Sequence, residues 1–496
     1  MEKLIDRARG VLLDIFADPG LYALLVFVHM TLSGSSLTKP YEEISYLVMR
    51  FCLIPWGAAL CLLRLWNAQR RQLLFAETAV LALLVVWLTV PFMIRFGIDY
   101  SSINWGFNHS VMFFGIYAAL MEEESARRAR LIDRLCALGA VIAFVLGGAL
   151  LYTAVTVQTF CTQNGNTGFG VVYSSLCAGV NYNATAMSAV SLTMLCLAGV
   201  ARRRHPLAKV AHAISAAMMM LVVVLTQSRA SRLALLFGLA ACVYGAICTR
   251  LKGKALLRHG AGIACGLVLL VLGYMGAYGI TSVAVAHYNS VRSQGQTAVK
   301  ADERLHLLSE AVAEDDDGAQ GAAEQDAGEK VPAEDAATPQ PAQSNARVRK
   351  GFDATLSERT LLWKNLFALW RENPKYMIIG NGLGRTGSLI VEGTMHEEIG
   401  YAVVHNAYLQ FIADYGLIGF AMLAAFFALI FRPVLRAFYA RGEAHEPGIH
   451  VFGGLIVAAL AIAVVESLPL EALSPMCTML FVALAILAAS GRRTAR

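Results

Sequence analysis

Charge is scarce in this 496-residue chain, where Asp, Glu, Lys and Arg together make up 15% of the sequence. Soluble domains carry about 25%, so a water-facing surface around a chain of this length is excluded. Metal-ligand spacing is missing as well. Ten cysteines are scattered, most inside apolar runs where Cys behaves as a small hydrophobe, and no Cys-x-x-Cys or Cys/His pattern occurs. No metal or other cofactor is expected. Cys161 and Cys177 flank the polar stretch 162–166 and could pair in an oxidising compartment. A cleavable signal peptide is not predicted, because residues 1–20 are mostly amphipathic and no clear small-residue cleavage site follows the first apolar run. Internal repeats of useful strength are lacking too, against a transporter built from duplicated halves.

What is abundant is hydrophobicity: 57% of residues are apolar and the mean hydropathy is +0.56. The apolar residues gather into runs of about 20, the length that spans a bilayer as a helix whose backbone groups are satisfied internally. The expected fold is all-α, a polytopic membrane bundle of about 12 helices. They run approximately over 20–36, 44–66, 74–94, 104–121, 135–157, 179–200, 207–226, 230–248, 259–281, 405–431, 450–467 and 474–490.

Basic residues then orient the bundle. Arg64, Arg70 and Arg71 follow the second span, Arg127, Arg128, Arg130 and Arg134 the fourth, and Arg202, Arg203, Arg204 and Lys209 the sixth. Arg250, Lys252, Lys254 and Arg258 follow the eighth, Arg432, Arg436 and Arg441 the tenth, and Arg492, Arg493 and Arg496 close the chain. Positive charge favours the cytoplasmic side. Both termini are therefore expected in the cytoplasm of a multi-pass cell-membrane protein. The odd loops face outward, including the long one at 282–404. The basic excess belongs to these loops and requires no nucleic acid.

Three parts follow: spans one to nine (1–281), the external loop (282–404) and spans ten to twelve (405–496). Within the loop, residues 310–335 hold ten acids against Lys330 alone, so 309–347 is expected to be disordered. Order is expected to resume in an amphipathic helix over 357–372. Leu362, Leu366 and Leu369 would line one side, with Trp363, Phe367 and Trp370 beside them. Asn373-Pro374 ends it. The turn Gly380-Asn381-Gly382-Leu383-Gly384 that follows is weak evidence for a phosphate loop, since such runs are commonly tight turns.

Two places could carry chemistry. The first is Val404-His405-Asn406-Ala407-Tyr408, where the polar loop enters the tenth span. His405 can accept a proton near neutral pH there, or it can simply anchor a helix end at the interface. The second is Thr226-Gln227-Ser228-Arg229-Ala230-Ser231-Arg232, joining spans seven and eight on the outward side. Arg229 and Arg232 are three apart, so they share a helix face. They either snorkel to headgroups or form an anion site, since paired guanidinium forks suit a diphosphate. Arg359 in the amphipathic helix and Arg385 after the glycine turn are further cations. Glu466 and Glu471 are ionisable groups near the same face, able to pair with an arginine or orient an acceptor. Asp414 reads as a structural partner.

Taken in order, the Thr-x-Ser-Arg turn, the long external loop and the His-Asn-x-Tyr-Leu-Gln helix start followed by Gly-Leu-Ile-Gly resemble the O-antigen ligase/polymerase superfamily. Asn181-Tyr182-Asn183-Ala184-Thr185-Ala186, Arg359 four residues before Trp363, and the Gly380-x-Gly-x-Gly turn also match. The resemblance covers about residues 170–430, and the acidic insert departs from it. It implies transfer or polymerisation of a glycan from an undecaprenyl-diphosphate donor onto an acceptor hydroxyl of a glycan, lipid or protein at the outer membrane face, without metal. By carry-over His405 is the base or orienter and Arg229, Arg232 and Arg359 hold the diphosphate. Asn406, Tyr408 and Glu466 support them. A transporter or flippase for lipid-linked saccharides is the alternative. Against it, the polar residues cluster at one face instead of the midplane, and no broken mid-membrane helix pair is apparent. A cell-wall glycan polymerase of the shape-and-division class would need an acidic catalytic loop, which is not apparent.

Overall fold

The computed structural model describes residues 17–33, 44, 47–66, 76–97, 108–122, 125–156, 182–226, 228–314, 353–382, 385–392, 403–441, 446–466 and 474–493. Among these the chain is helical with no strand, as an all-α membrane bundle requires. The elements are α1 (Pro19–Ser33), α2 (Ile54–Trp66, entered through a π-helical turn at Met49–Leu53), α3 (Ala76–Phe96), α4 (Ala119–Glu122, after a π-helical stretch at Val111–Ala118) and α5 (Ser125–Thr156). Next come α6 (Tyr182–Arg202), α7 (Pro206–Leu225), α8 (Arg229–Arg250) and α9 (Ala255–Glu314). The chain ends with α10 (Asp353–Glu372), α11 (Pro374–Ile379), α12 (Ala407–Phe438), α13 (Ile449–Ala463) and α14 (Pro475–Arg493).

Eight of the described helices are long and apolar enough to cross a membrane, and three apolar helices are shorter. Each expected span coincides with one of these helices or, for the fourth, with the π-helical stretch and α4. Several boundaries differ from the sequence reading: α5 begins at Ser125 instead of 135 and α12 runs to Phe438 instead of 431. Helix α9 runs on past residue 281 to Glu314, so the start of the acidic segment is helical; residues 315–347 lie outside the described residues, as do Cys161, Cys177, Gln227 and Glu471. The tenth span is not one straight helix. Gly416 leaves helical geometry inside α12 (φ 75°, ψ 174°).

The bundle has two distinct ends, and contacts sort the loops between them. At one end, Arg202 pairs with Asp133 (2.8 Å) and Glu446 (3.5 Å), Ser490 donates to Glu446 (2.7 Å), and Arg492 pairs with buried Glu77. These residues come from the basic loops and the C-terminal helix. Helix α14 is sheathed by its neighbours, with almost every residue from Met476 to Gly491 buried. Helix α8 packs antiparallel against α13 through small residues. A Cβ on Gly238 would press on Gly454 and Ala458, and one on Gly245 would meet His450. Small residues let helix backbones approach where water supplies no driving force. The antiparallel register brings the start of α8, with Arg229, to the same end as the close of α13, with Glu466.

Candidate functional site

At that second end a short segment, Val403–Asn406, leads into α12. His405 is the one non-glycine residue with positive φ (53°) among the described residues. Left-handed backbone costs a residue with a Cβ roughly 1–2 kcal/mol, so its neighbours must hold it. On the N-terminal side, the Trp363 indole donates to Val404 O (2.8 Å) and the Val404 amide donates to Gln410 Oε1 (3.0 Å). On the C-terminal side, Asn406 caps α12 by accepting from the Leu409 amide (2.9 Å), typically worth about 1 kcal/mol. Its Nδ2 donates to Val464 O (2.8 Å). Tyr408 adds a bond from its hydroxyl to Leu460 O (3.0 Å), tying the first turn of α12 to α13.

Glu466, only 3% exposed, sits between a guanidinium and an imidazole. Its Oε1 accepts from Arg359 Nη2 (2.8 Å), and Arg359 Nη1 donates to Val465 O (2.7 Å). Its Oε2 lies 3.5 Å from His405 Nδ1, a distance without the alignment of a hydrogen bond, since that nitrogen has no hydrogen-bond partner. One carboxylate therefore serves both a guanidinium and an imidazole. A buried carboxylate needs such a partner, because its ionised form is costly away from water.

Helix α10 delivers Arg359 and Trp363 together, since residues four apart share a face. Its apolar side buries Leu362, Leu366 and Trp370 against Ile390, Val404 and Ala413 in a core separate from that of the main bundle. The buried spacing is i, i+4, i+8; Leu369 is only partly buried and Phe367 is exposed. The amphipathic helix thus lies on the bundle, over the start of α12.

The glycine turn has a structural task. Because Gly416 turns out of the helix, the carbonyls just before it find donors elsewhere. Asn381 N donates to Ala413 O (2.9 Å) and Gly382 N to Asp414 O (3.0 Å), while Trp87 Nε1 donates to Tyr415 O (2.8 Å). A phosphate loop would keep such amides for its ligand; here they cap a broken helix. Arg95 donates to Gly380 O (3.3 Å) and stands over the Tyr376 ring.

Of the residues expected from sequence, Arg359 and His405 meet at the Glu466 carboxylate, while Asn406 and Tyr408 tie the start of α12 to the Val464 and Leu460 carbonyls. Arg229 and Arg232 occupy the first turn of α8 at the same end. Ser228 sets that helix start, its side chain accepting from the Ser231 amide, so the Thr-x-Ser-Arg pattern is a capping signal as well. Arg385 is exposed beyond the glycine turn. Gln410, Asp414 and Trp363 were given no functional role from sequence. The spacing of Gln410 and Asp414, four apart on a helix, is the signal that could have paired them. Among the described residues no group of His, Cys, Asp and Glu is arranged to hold a metal ion.

A many-helix membrane bundle with an arginine–carboxylate–histidine cluster at one end defines the class, a polytopic membrane protein with a polar site built on a helix start. The family model described as O-antigen ligase matches residues 214–424. That match, together with the apolar helices around it, supports an O-antigen ligase-like multi-pass membrane protein of the O-antigen ligase/polymerase superfamily. No curated protein matches the chain. The matched region takes in Arg229, Arg232, Arg359 and His405, while Glu466 falls beyond it.

Proposed function

We propose that the protein transfers or polymerises a glycan from an undecaprenyl-diphosphate donor onto an acceptor hydroxyl at the outer face of the cytoplasmic membrane, with both termini inside and without a metal. The observation that carries this reading is the sharing of Glu466 by Arg359 and His405 at the helix start of an O-antigen ligase region. A lipid-linked diphosphate is already an activated leaving group, so two tasks remain: neutralising the charge that develops on it and removing the acceptor proton. Arg359 keeps donors beyond the two it gives to Val465 and Glu466, and Arg229 and Arg232 at the same end supply further positive charge.

In the proposed step the acceptor oxygen bonds to the anomeric carbon of the donor sugar. The bond from that carbon to the phosphate oxygen breaks, and undecaprenyl diphosphate leaves with the electron pair. The acceptor proton passes to His405 through Nε2, since Nδ1 faces Glu466. A single displacement inverts the anomeric centre.

The alternative, a transporter for lipid-linked saccharides, gains one observation, the break in α12. Transporters use such breaks to coordinate ions and substrates with unwound backbone. Here the carbonyls of Ala413, Asp414 and Tyr415 already accept bonds from Asn381, Gly382 and Trp87, which favours the enzyme. The test is purified protein in nanodiscs with an undecaprenyl-diphosphate-linked oligosaccharide and a glycolipid acceptor, in the presence of a chelator. The proposal expects acceptor glycosylation with release of undecaprenyl diphosphate, and reduced donor use in Arg229→Lys and Arg359→Lys, where charge stays but the planar fork is lost. Saccharide translocation in proteoliposomes without any transfer product would reverse the choice.

A further inference from the structure

Behind His405 runs a chain of contacts that the proposed chemistry does not use. Gln410 faces in two directions. Its Oε1 accepts the Val404 amide (3.0 Å) and its Nε2 donates to Asp414 Oδ2 (2.9 Å). Asp414 is 2% exposed, and its backbone carbonyl is held by Gly382 from the glycine turn. The Val404 carbonyl, in the peptide that joins it to His405, is fixed by Trp363. Val404, the residue before His405, is therefore held at both its amide and its carbonyl, one from within α12 and one from α10. The residue it precedes is the one non-glycine residue in left-handed backbone among those described. Strained backbone of this kind persists where the surroundings over-determine it, and it gathers at functional sites.

We propose that Gln410 and Asp414, with Trp363, are positioning residues that set the backbone of His405 and so aim its imidazole. This rests on the glycosyltransferase reading above and adds residues that touch neither donor nor acceptor. Gln410 is suited to the task because its amide accepts from a backbone N–H through its oxygen and donates to a carboxylate through its nitrogen. A glutamate there would face Asp414 with like charge. An apolar side chain would leave the Val404 amide and the Asp414 carboxylate without this partner. Because the strut works through geometry, its loss should lower turnover without changing donor capture. A displacement of the reacting group by about 1 Å can cost ~10²-fold in rate.

The experiment exchanges the two groups. Gln410→Glu is expected to lower kcat by about 10- to 100-fold, with the donor KM and donor binding within about twofold of wild type. The double variant Gln410→Glu/Asp414→Asn puts the carboxylate where the amide was and the amide where the carboxylate was. The Val404 amide and the new Asn side chain can then both donate to the Glu, so kcat is expected to recover most of the loss. Rates are taken per monodisperse, folded molecule, so that a variant that merely folds less well gives an unchanged kcat. Trp363→Phe, which removes the indole donor while keeping an aromatic ring on the outer helix, is the second route and should lower kcat in the same way. Wild-type kcat per folded molecule in both Gln410→Glu and Trp363→Phe would overturn the proposal. So would failure of the double variant to recover any of a Gln410→Glu deficit while folding normally. His405→Ala measured in parallel separates the two readings: if it is inactive while Gln410→Glu and Trp363→Phe are at wild-type rate, the strut fails and the base stands.

Discussion

Gly380 and Gly416 meet across the break in α12, each in left-handed backbone (φ 81° and 75°) and each where the other's segment leaves no room for a side chain. A Cβ on Gly380 would run into the Asp414 carbonyl, and one on Gly416 into the carbonyl of Ile378. The break and the glycine turn are thus one unit. Gly416→Ala should be strained in its backbone, by about 1–3 kcal/mol, and should also push the turn away. The variant is expected to show a clearly lower Tm in detergent and a smaller monodisperse fraction on size exclusion. An unchanged Tm would mean that the contact between turn and break contributes nothing.

Glu466 ties the outer helix to the bundle through Arg359, and removing one partner of a shielded pair is costly because it strands the other. Arg359 keeps some exposure, 20% of its side chain, which moderates the loss. Glu466→Ala should therefore loosen α10 without unfolding the bundle. Amide hydrogen exchange over residues 359–370 is expected to rise at least about tenfold, equivalent to ~1.4 kcal/mol of local stability, while exchange in α14 stays slow. Unchanged protection of α10 would show that the apolar contacts of Leu362, Leu366 and Trp370 hold it unaided.

The contacts described at the site are made by residues outside 310–344. Deleting residues 310–344 shortens a connection whose closure entropy changes only slowly with length. Membrane levels and product formation are expected to match wild type within about twofold. Loss of activity at normal membrane levels would assign the segment a role in catalysis or substrate delivery.

The orientation of the bundle can be read with a reporter active only in the cytoplasm. Fused after Gly318 it should give no signal, and fused after Arg493 a strong one, since the basic loops favour the cytoplasmic side. The reverse pattern would put His405 on the wrong side of the membrane for an external acceptor.

Much of this architecture is legible in the sequence, because apolar runs the thickness of a bilayer and arginine-bearing loops are strong physical signals. A helix over 357–372 is visible from its spacing, although only the structure shows that it begins at Asp353 and that Trp370, and not Leu369, completes the buried stripe. His405, Arg359 and Glu466 stand out as charged or ionisable residues at apolar boundaries, yet nothing in their spacing of 46 and 61 residues announces a shared carboxylate. That meeting depends on α10 lying over the start of α12, a tertiary contact. The break at Gly416 was hidden for a similar reason. An uninterrupted apolar run looks like one helix, and the donors that make a break tolerable come from Asn381, Gly382 and Trp87, distant in the chain.

The most direct test of the central claim compares donor binding and glycan transfer in wild type and His405→Ala, both purified in nanodiscs. Donor binding is expected to stay within about threefold of wild type, since the arginines remain. Turnover is expected to fall by ~10²–10⁴-fold, the usual contribution of a general base. Transfer by His405→Ala at the wild-type rate would contradict the account and leave His405 as an anchor at the start of α12.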